Sequence, residues 1–185
     1  GWKGRILDMN DNRVRVQLLS VCNESRESRL ELTLGLALAR GDRMDLVVRQ
    51  ATEIGVNRFV AFQTERSDYG LSSIQAEKRL VRWRKIVREA MCQCGRTRLP
   101  EIVIHSNLTG FLAEVPVYAS PEKGGLRVVA AEKAPGQNLL SLWSSRPMYR
   151  QVLAVVGPEG GWTPSETDQF LKAEFQPVHL GPRIL

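Results

Sequence analysis

Gly157-Pro158-Glu159-Gly160-Gly161 is the stretch whose residue types are best suited to hold a ligand. Its glycines reach backbone conformations closed to other residues and let a ligand approach main-chain N–H and C=O groups closely. An apolar run, QVLAVV, leads into it, and Thr163-Pro164-Ser165-Glu166 follows with the pattern of a capping box and a proline at the first helical position. A loop held at both ends in this way either grips a ligand or is a tight strand-to-helix turn and nothing more. A triphosphate calls for GxxxxGK followed by Ser or Thr, yet no Lys or Arg lies between Gly157 and Gln169, and Glu159 would repel phosphate. A dinucleotide calls for GxGxxG after the first strand of its unit, with an acidic residue about 20 positions on, and this is absent too. The loop suits a neutral or cationic ligand held by backbone bonds.

Other residues offer chemistry more weakly. In VHLGPRIL, Leu180-Gly181-Pro182 makes a second glycine turn, which forms another wall of the same pocket or simply reverses the chain. In QTERSDYG, residues 63–70, Arg66 stands where a phosphate or a base edge can be met, or else lies in solvent beside Glu65. Residues 77–98 hold eight Lys and Arg against Glu77 and Glu89, a net +6 that equals the formal charge of the whole chain. Charge concentrated on one element is the footprint expected for a phosphate backbone, the alternative being a solvated face. Within it Leu80, Trp83, Val87, Ala90, Met91 and Cys94 mark a core stripe, while Arg82, Lys85, Glu89 and Gln93 follow at three- and four-residue steps on another face. His105 and His179 are expected to be structural or surface residues, and Trp162 a core anchor or a cover for the pocket or a partner. Cys22, Cys92 and Cys94 are expected to be free thiols, because Cys-x-Cys with two distant histidines makes no zinc set; no metal is expected.

The elements that must position these groups follow from periodicity. RILDM and VRVQLLSV around Asn10-Asp11-Asn12 predict a hairpin, too small to fold alone. From Leu30 onward strands and helices alternate. Strands are predicted at RLELTLGLAL, RFVAFQT, EIVIHS, LRVVAA and QVLAVV. Helices are predicted after Asp42 up to Gly55, around 73–94, near LTGFLAEV and near NLLSLWSS; PEKGG is read as a low-order stretch. Such alternation implies an α/β domain with a mainly parallel sheet and helices on both faces, where ligands sit beyond the carboxyl ends of the strands. The 185 residues, 43% hydrophobic, suffice for one sizeable domain plus part of another. No apolar run approaches the ~20 residues of a membrane helix and the first residues lack a signal-peptide layout, so the expected address is the cytoplasm.

GDRMDLVVRQATEIGV, TERS, RWRKIVREAMCQCGRTRLPEI, VVGPEGGWTPSE and HLGPRIL, in that order, resemble the RsmE family of SPOUT-class methyltransferases, which make 3-methyluridine in 16S ribosomal RNA. The resemblance covers residues 30–185 and implies a SPOUT methyltransferase domain with a C-terminal trefoil knot, an exception to unknotted chains. Residues 1–29 would be the C-terminal part of a PUA-like RNA-binding β-barrel, and family members continue beyond the position of Leu185. It implies S-adenosylmethionine as cofactor, held by Ala131, Glu132, Gly157, Pro158, Glu159, Gly160, Gly161, Leu180, Gly181, Ile184 and Leu185. Arg66 and Glu89 would be the catalytic groups, and Arg66, Arg82, Lys85, Gln93 and Arg96 would meet RNA. The implied partners are 16S rRNA or the assembled small ribosomal subunit and a second copy of the chain, with no membrane. The rivals are a non-catalytic RNA-binding module and a nucleotide-binding enzyme using GPEGG for phosphate.

Overall fold

In the computed structural model, which describes residues 2–22, 26–39, 42–67, 72–131, 137–144 and 149–181, the alternating pattern becomes two separate sheets. Strands β1 (Trp2–Asn10) and β2 (Arg13–Val21) pair antiparallel. Their turn is held by the Asn10 side-chain oxygen, which accepts from the N–H groups of Asn12 and Arg13 at 3.1 and 2.9 Å. Both strands are exposed along their whole length, including Trp2, Ile6 and Leu18.

The rest of the chain runs β3 (Glu31–Ala37), α1 (Arg43–Glu53), β4 (Arg58–Phe62), α2 (Ser73–Cys94), β5 (Glu101–His105) and α3 (Leu108–Tyr118). It continues through β6 (Gly125–Ala130), β7 (Gln137–Asn138), α4 (Leu139–Ser144), β8 (Gln151–Val156), α5 (Pro164–Lys172) and β9 (Gln176–His179). These seven strands form one parallel sheet in the order β5-β4-β3-β8-β6-β9-β7. Strands buried on both faces read as continuous apolar runs, as in RFVAF and VLAVV. Alternate residues of β4 go to opposite layers. Phe59 and Ala61 pack with Met44 and Val48 of α1 and Trp83 and Val87 of α2, whereas Val60 and Phe62 pack with Phe111 of α3 and Phe170 of α5. Leu142 of α4 covers Leu126, Val128, Val152 and Val178.

Local signals decide where the helices begin and end. Ser72 and Gln75 form a capping box at the start of α2, and Gly95, at φ 74°, closes it in the left-handed conformation. Thr163 and Glu166 form the predicted box at α5, with Pro164 at its first position. Asp42 departs from expectation: it occupies the N-cap position of α1 without a side-chain cap bond, because its carboxylate accepts instead from Arg82 at 3.1 Å. PEKGG is not a low-order stretch either. Pro121–Lys123 make a 3-10 turn closed by Gly124, whose N–H donates to the Pro121 carbonyl at 3.0 Å. Helix α3 runs past the predicted LTGFLAEV through Pro116 to Tyr118, where the buried Val115 and Tyr118 hold its last turn against the core.

Two insertions set the strand order. β8 enters between β3 and β6, and β9 enters between β6 and β7, which are consecutive in the sequence. All seven strands being parallel, their carboxyl ends share one edge. That edge gathers Leu38-Ala39, Thr64–Ser67, Ala131, Gly157–Gly161 and Leu180-Gly181, segments far apart in the chain. No helix among the described residues is long and apolar enough to cross a membrane.

Candidate active site

The loop after β8 is built on its glycines and on Trp162. Gly161 takes φ 68°, a left-handed conformation that favours glycine, and its N–H donates to the Pro158 carbonyl at 2.9 Å to close the turn. A Cβ on Gly157 would stand 2.9 Å from the Trp162 ring, so the chain can pass there only without a side chain. Trp162 is the expected core anchor: it stacks on Phe62, meets Phe170 edge-to-face at a centroid distance of 4.7 Å, and donates from Nε1 to the Ala130 carbonyl at 2.8 Å. One side chain thus ties the end of β8 to the end of β6. In front of Gly161 and Gly181 an added Cβ would meet nothing within 4 Å, which leaves open space beside both glycine turns.

The opposite wall comes from β4. Glu166, 2% exposed, accepts the Thr163 N–H on one carboxylate oxygen and the Glu65 N–H on the other, each at 2.9 Å. The residue that caps α5 therefore also fixes the loop after β4. Ser67 Oγ accepts the Thr64 N–H at 3.1 Å and lies 2.8 Å from Thr64 Oγ1, which tightens the same loop. Held in this way, Arg66 reaches across and donates from Nη1 to the Gly160 carbonyl at 2.8 Å. Between the walls lies an open cleft of about 480 Å³ lined by Leu38, Ala39, Glu65, Arg66 and the turn 158–160. At its rim Arg43, the first residue of α1, forms an ion pair with Glu159.

The loop's cations come from elsewhere in the chain, Arg66 among them as expected at the ligand edge. No basic residue is near it in sequence, but Arg43 and Arg66 arrive from two other strand ends. Sequence reasoning missed Arg43, although the rule that placed ligands beyond carboxyl ends of strands applies equally to the segment after β3.

Of the remaining predicted residues, Ala131 and Leu180 share the loop's edge, and those of α2 stand apart from it. Ala131 donates its N–H to the Val178 carbonyl at 3.1 Å, between β6 and β9, and Leu180 is exposed. Glu132, Ile184 and Leu185 lie outside the described residues. Arg82 is bound to Asp42 and Asp45 of α1, and Lys85 stands 4.0 Å from Glu89. Helix α2 runs away from the cleft, so Glu89 and Gln93 lie roughly 10 and 16 Å further along it than Arg82, at 1.5 Å per residue. The structure does not bring Glu89 to Arg66 within the chain.

Arg96, expected to meet RNA, is built into the fold. Its side chain is 5% exposed, with Nη2 2.8 Å from Glu27 and Nη1 donating to the Val56 and Thr52 carbonyls at 2.6 and 3.0 Å. Those partners sit toward the amino-end edge of the sheet, and a guanidinium so occupied staples the fold instead of meeting RNA. Burial opposes ionisation of Glu27, but hydrogen bonds from Arg96, Arg98 and Thr97 outweigh it and hold the carboxyl below its ordinary range. His105 is structural, as expected. It lies 3.0 Å from the Tyr118 hydroxyl, and burial lowers its pKa against the opposing pull of Glu114. Among the described residues no group of three or more His, Cys, Asp or Glu is placed to hold a metal ion.

A seven-stranded parallel sheet flanked by helices, with a pinned glycine loop at its carboxyl edge and an arginine bonded across a cleft to that loop, defines an α/β domain of the kind that binds ligands beyond its strand ends. The family model of the RNA methyltransferase domain matches residues 26–185, and the chain belongs to that family. It is similar to the ribosomal RNA small subunit methyltransferase E of Synechocystis, 33% identical over 184 residues that cover 100% of this chain and 57% of that protein. The enzyme of the same name from Bacillus subtilis is 29% identical over 99% of this chain and 71% of its own length. Ribosomal RNA small subunit methyltransferase E of Neisseria gonorrhoeae, solved bound to S-adenosyl methionine, matches with a TM-score of 0.83 and 29% identity, over 100% of this chain and 72% of that one.

Proposed function

We propose that this chain is the greater part of an S-adenosylmethionine-dependent methyltransferase that modifies the imide nitrogen of a uridine in small-subunit (16S) ribosomal RNA. The observation that carries the reading is the loop 157–161 pinned at the shared strand edge by Trp162 to β6 and by Arg66 from β4. The open space beside Gly161 and Gly181 fits a cofactor gripped by main-chain groups, and a sulfonium needs no basic side chain. Ala131, Gly157, Pro158, Glu159, Gly160, Gly161, Leu180 and Gly181 would hold it. The insertion of β9 between consecutive strands β6 and β7 supports a C-terminal trefoil knot of SPOUT type. The exposed apolar rows of β1 and β2 support their belonging to a larger RNA-binding barrel of PUA-like form, because a two-stranded hairpin needs further cover.

When bound, the cofactor supplies an electrophilic methyl group. The chain's own task is to present the uridine nitrogen in line with that group and to accommodate the loss of its weakly acidic proton. Arg66, fixed by its bond to Gly160, orients the uracil and stabilises the anion that develops on it. Lys85 and Gln93 on α2, with Arg82 braced by α1, serve the RNA backbone, and Glu89 serves as a polar contact there. Exposed Leu140, Trp143 and Leu180 support a two-fold interface through which a second copy completes the site. A ribosomal RNA substrate agrees with the cytoplasmic address expected from the sequence.

Calorimetry of the full-length protein against S-adenosylmethionine, S-adenosylhomocysteine and ATP tests the reading. Binding of the first two without ATP is expected. Tight ATP binding with no response to S-adenosylmethionine would support a nucleotide-binding enzyme, and silence toward all three would support a non-catalytic RNA-binding module.

A further inference from the structure

Arg43 has no part in the readings above, yet it stands at the rim of the cleft. It opens α1, is exposed, and meets the glycine loop only through the carboxylate of Glu159. We propose that Arg43 is an RNA-contacting residue: its guanidinium takes a phosphate of the strand whose nucleotide enters between Ala39, Arg66 and Gly160, displacing the Glu159 carboxylate. This rests on the RNA methyltransferase reading and names a further residue for its substrate.

Three observations carry the inference. With side chains 72% and 65% exposed, the Arg43–Glu159 pair is screened by solvent and contributes little stability, so an incoming anion can replace it at small cost. A phosphate, like a carboxylate, offers anionic oxygens to the planar guanidinium, so one can take the place of the other. Arg66, the other arginine bonded to the loop, holds the Gly160 carbonyl inside the cleft, which leaves Arg43 as the loop-bonded cation on its outer side. Glu65 also lines the cleft and would repel a phosphate there more than a neutral base, which assigns the base to the cleft and the phosphate to the rim. The cleft, at about 480 Å³, has room for a nucleoside.

The test is fluorescence anisotropy of the full-length protein with a labelled oligouridylate across a series of KCl concentrations, beside calorimetry with S-adenosylmethionine and a methylation assay. Arg43→Gln is expected to weaken RNA binding roughly tenfold, the worth of one charge-assisted contact. The salt slope should fall by about 0.7, as for one lost phosphate contact on a single strand. Cofactor affinity should stay unchanged, with the loss appearing in the KM for RNA. Arg43→Lys should restore part of the affinity and the whole slope. Glu159→Gln should tighten RNA binding, since the competing carboxylate is gone. Wild-type RNA affinity and slope in Arg43→Gln would overturn the proposal while leaving the enzyme reading intact, provided the protein methylates. Equal loss of RNA and cofactor binding would overturn it too, by showing that Arg43 merely braces the loop. A wild-type protein that binds no S-adenosylmethionine would instead sink the underlying reading.

Discussion

Two glycines of the loop do different work, and their substitutions should differ accordingly. At Gly157 a methyl group would press on the Trp162 indole at 2.9 Å, and that ring is locked between Phe62, Phe170 and the Ala130 carbonyl. Gly157→Ala should therefore cost about 1–3 kcal/mol, the range for overpacking a core, read as a lower midpoint of urea unfolding. At Gly160 the neighbours are the Cβ and Cδ of Arg66, at 3.3 and 3.4 Å. Gly160→Val should leave the sheet folded but push Arg66 from its bond and abolish cofactor binding. Unchanged calorimetric affinity in that variant would refute the pocket assignment. Local sequence announced these glycines through GPEGG, but not that Gly157 faces the Trp162 ring and Gly160 the Arg66 side chain. That distinction depends on Arg66, 94 positions away from Gly160, and spacing carries no trace of it.

At the scale of elements, α2 separates into a docked part and a free part. Arg82 bridges to α1 while Lys85 is 80% exposed, so Lys85 is the cleaner probe of the basic face. Lys85→Glu should weaken RNA association and flatten its salt dependence with cofactor affinity unchanged; an unaltered slope would mark a merely solvated face. Beyond the end of α2, Arg96 and Glu27 form a pair whose side chains are each 5% exposed. The Glu27 carboxyl titrates below its ordinary value of 4.5, so the stability it brings is present above that pH and is lost as pH falls through the folded value. Glu27→Gln should cost on the order of 1–3 kcal/mol at neutral pH, because Arg96 loses its charged partner but keeps the Val56 and Thr52 carbonyls. It should also remove this group's share of the acid-side loss, measured as the midpoint of thermal unfolding against pH. An acid limb as steep as in the wild type would contradict the pairing. The helix itself was legible from residues 73–94, its core stripe included. The fate of Arg96 was not, since the carboxylate that buries it lies in the polar run before β3.

For the whole molecule, the alternation of strands and helices predicted the parallel sheet and its two helical layers from apolar periodicity alone. The strand order was not legible. The two-residue β7 is too short to show a pattern, and the places of β8 and β9 depend on contacts between segments that are remote in sequence. Convergence of Arg43, Arg66 and Gly157–Gly161 follows from that order, which is why Arg43 escaped a local reading. Arg66 and Gly160 belong to one chain's cleft, so if α2 of one copy serves the cleft of the other, mixing full-length Gly160→Val and Lys85→Glu proteins should restore activity through hybrid dimers. A monomer by light scattering at working concentrations would defeat the dimer, and dimers without complementation would reject the shared site alone. The chain spans 57% of the Synechocystis relative and 71% of the Bacillus one, so the longer protein is the proper material for these assays. The most direct test incubates it with methyl-labelled S-adenosylmethionine and small ribosomal subunits lacking the modification, then analyses the RNA nucleosides by mass spectrometry. The account predicts label in 3-methyluridine, lost in Arg66→Ala; label in another nucleoside, or none in RNA, would contradict it.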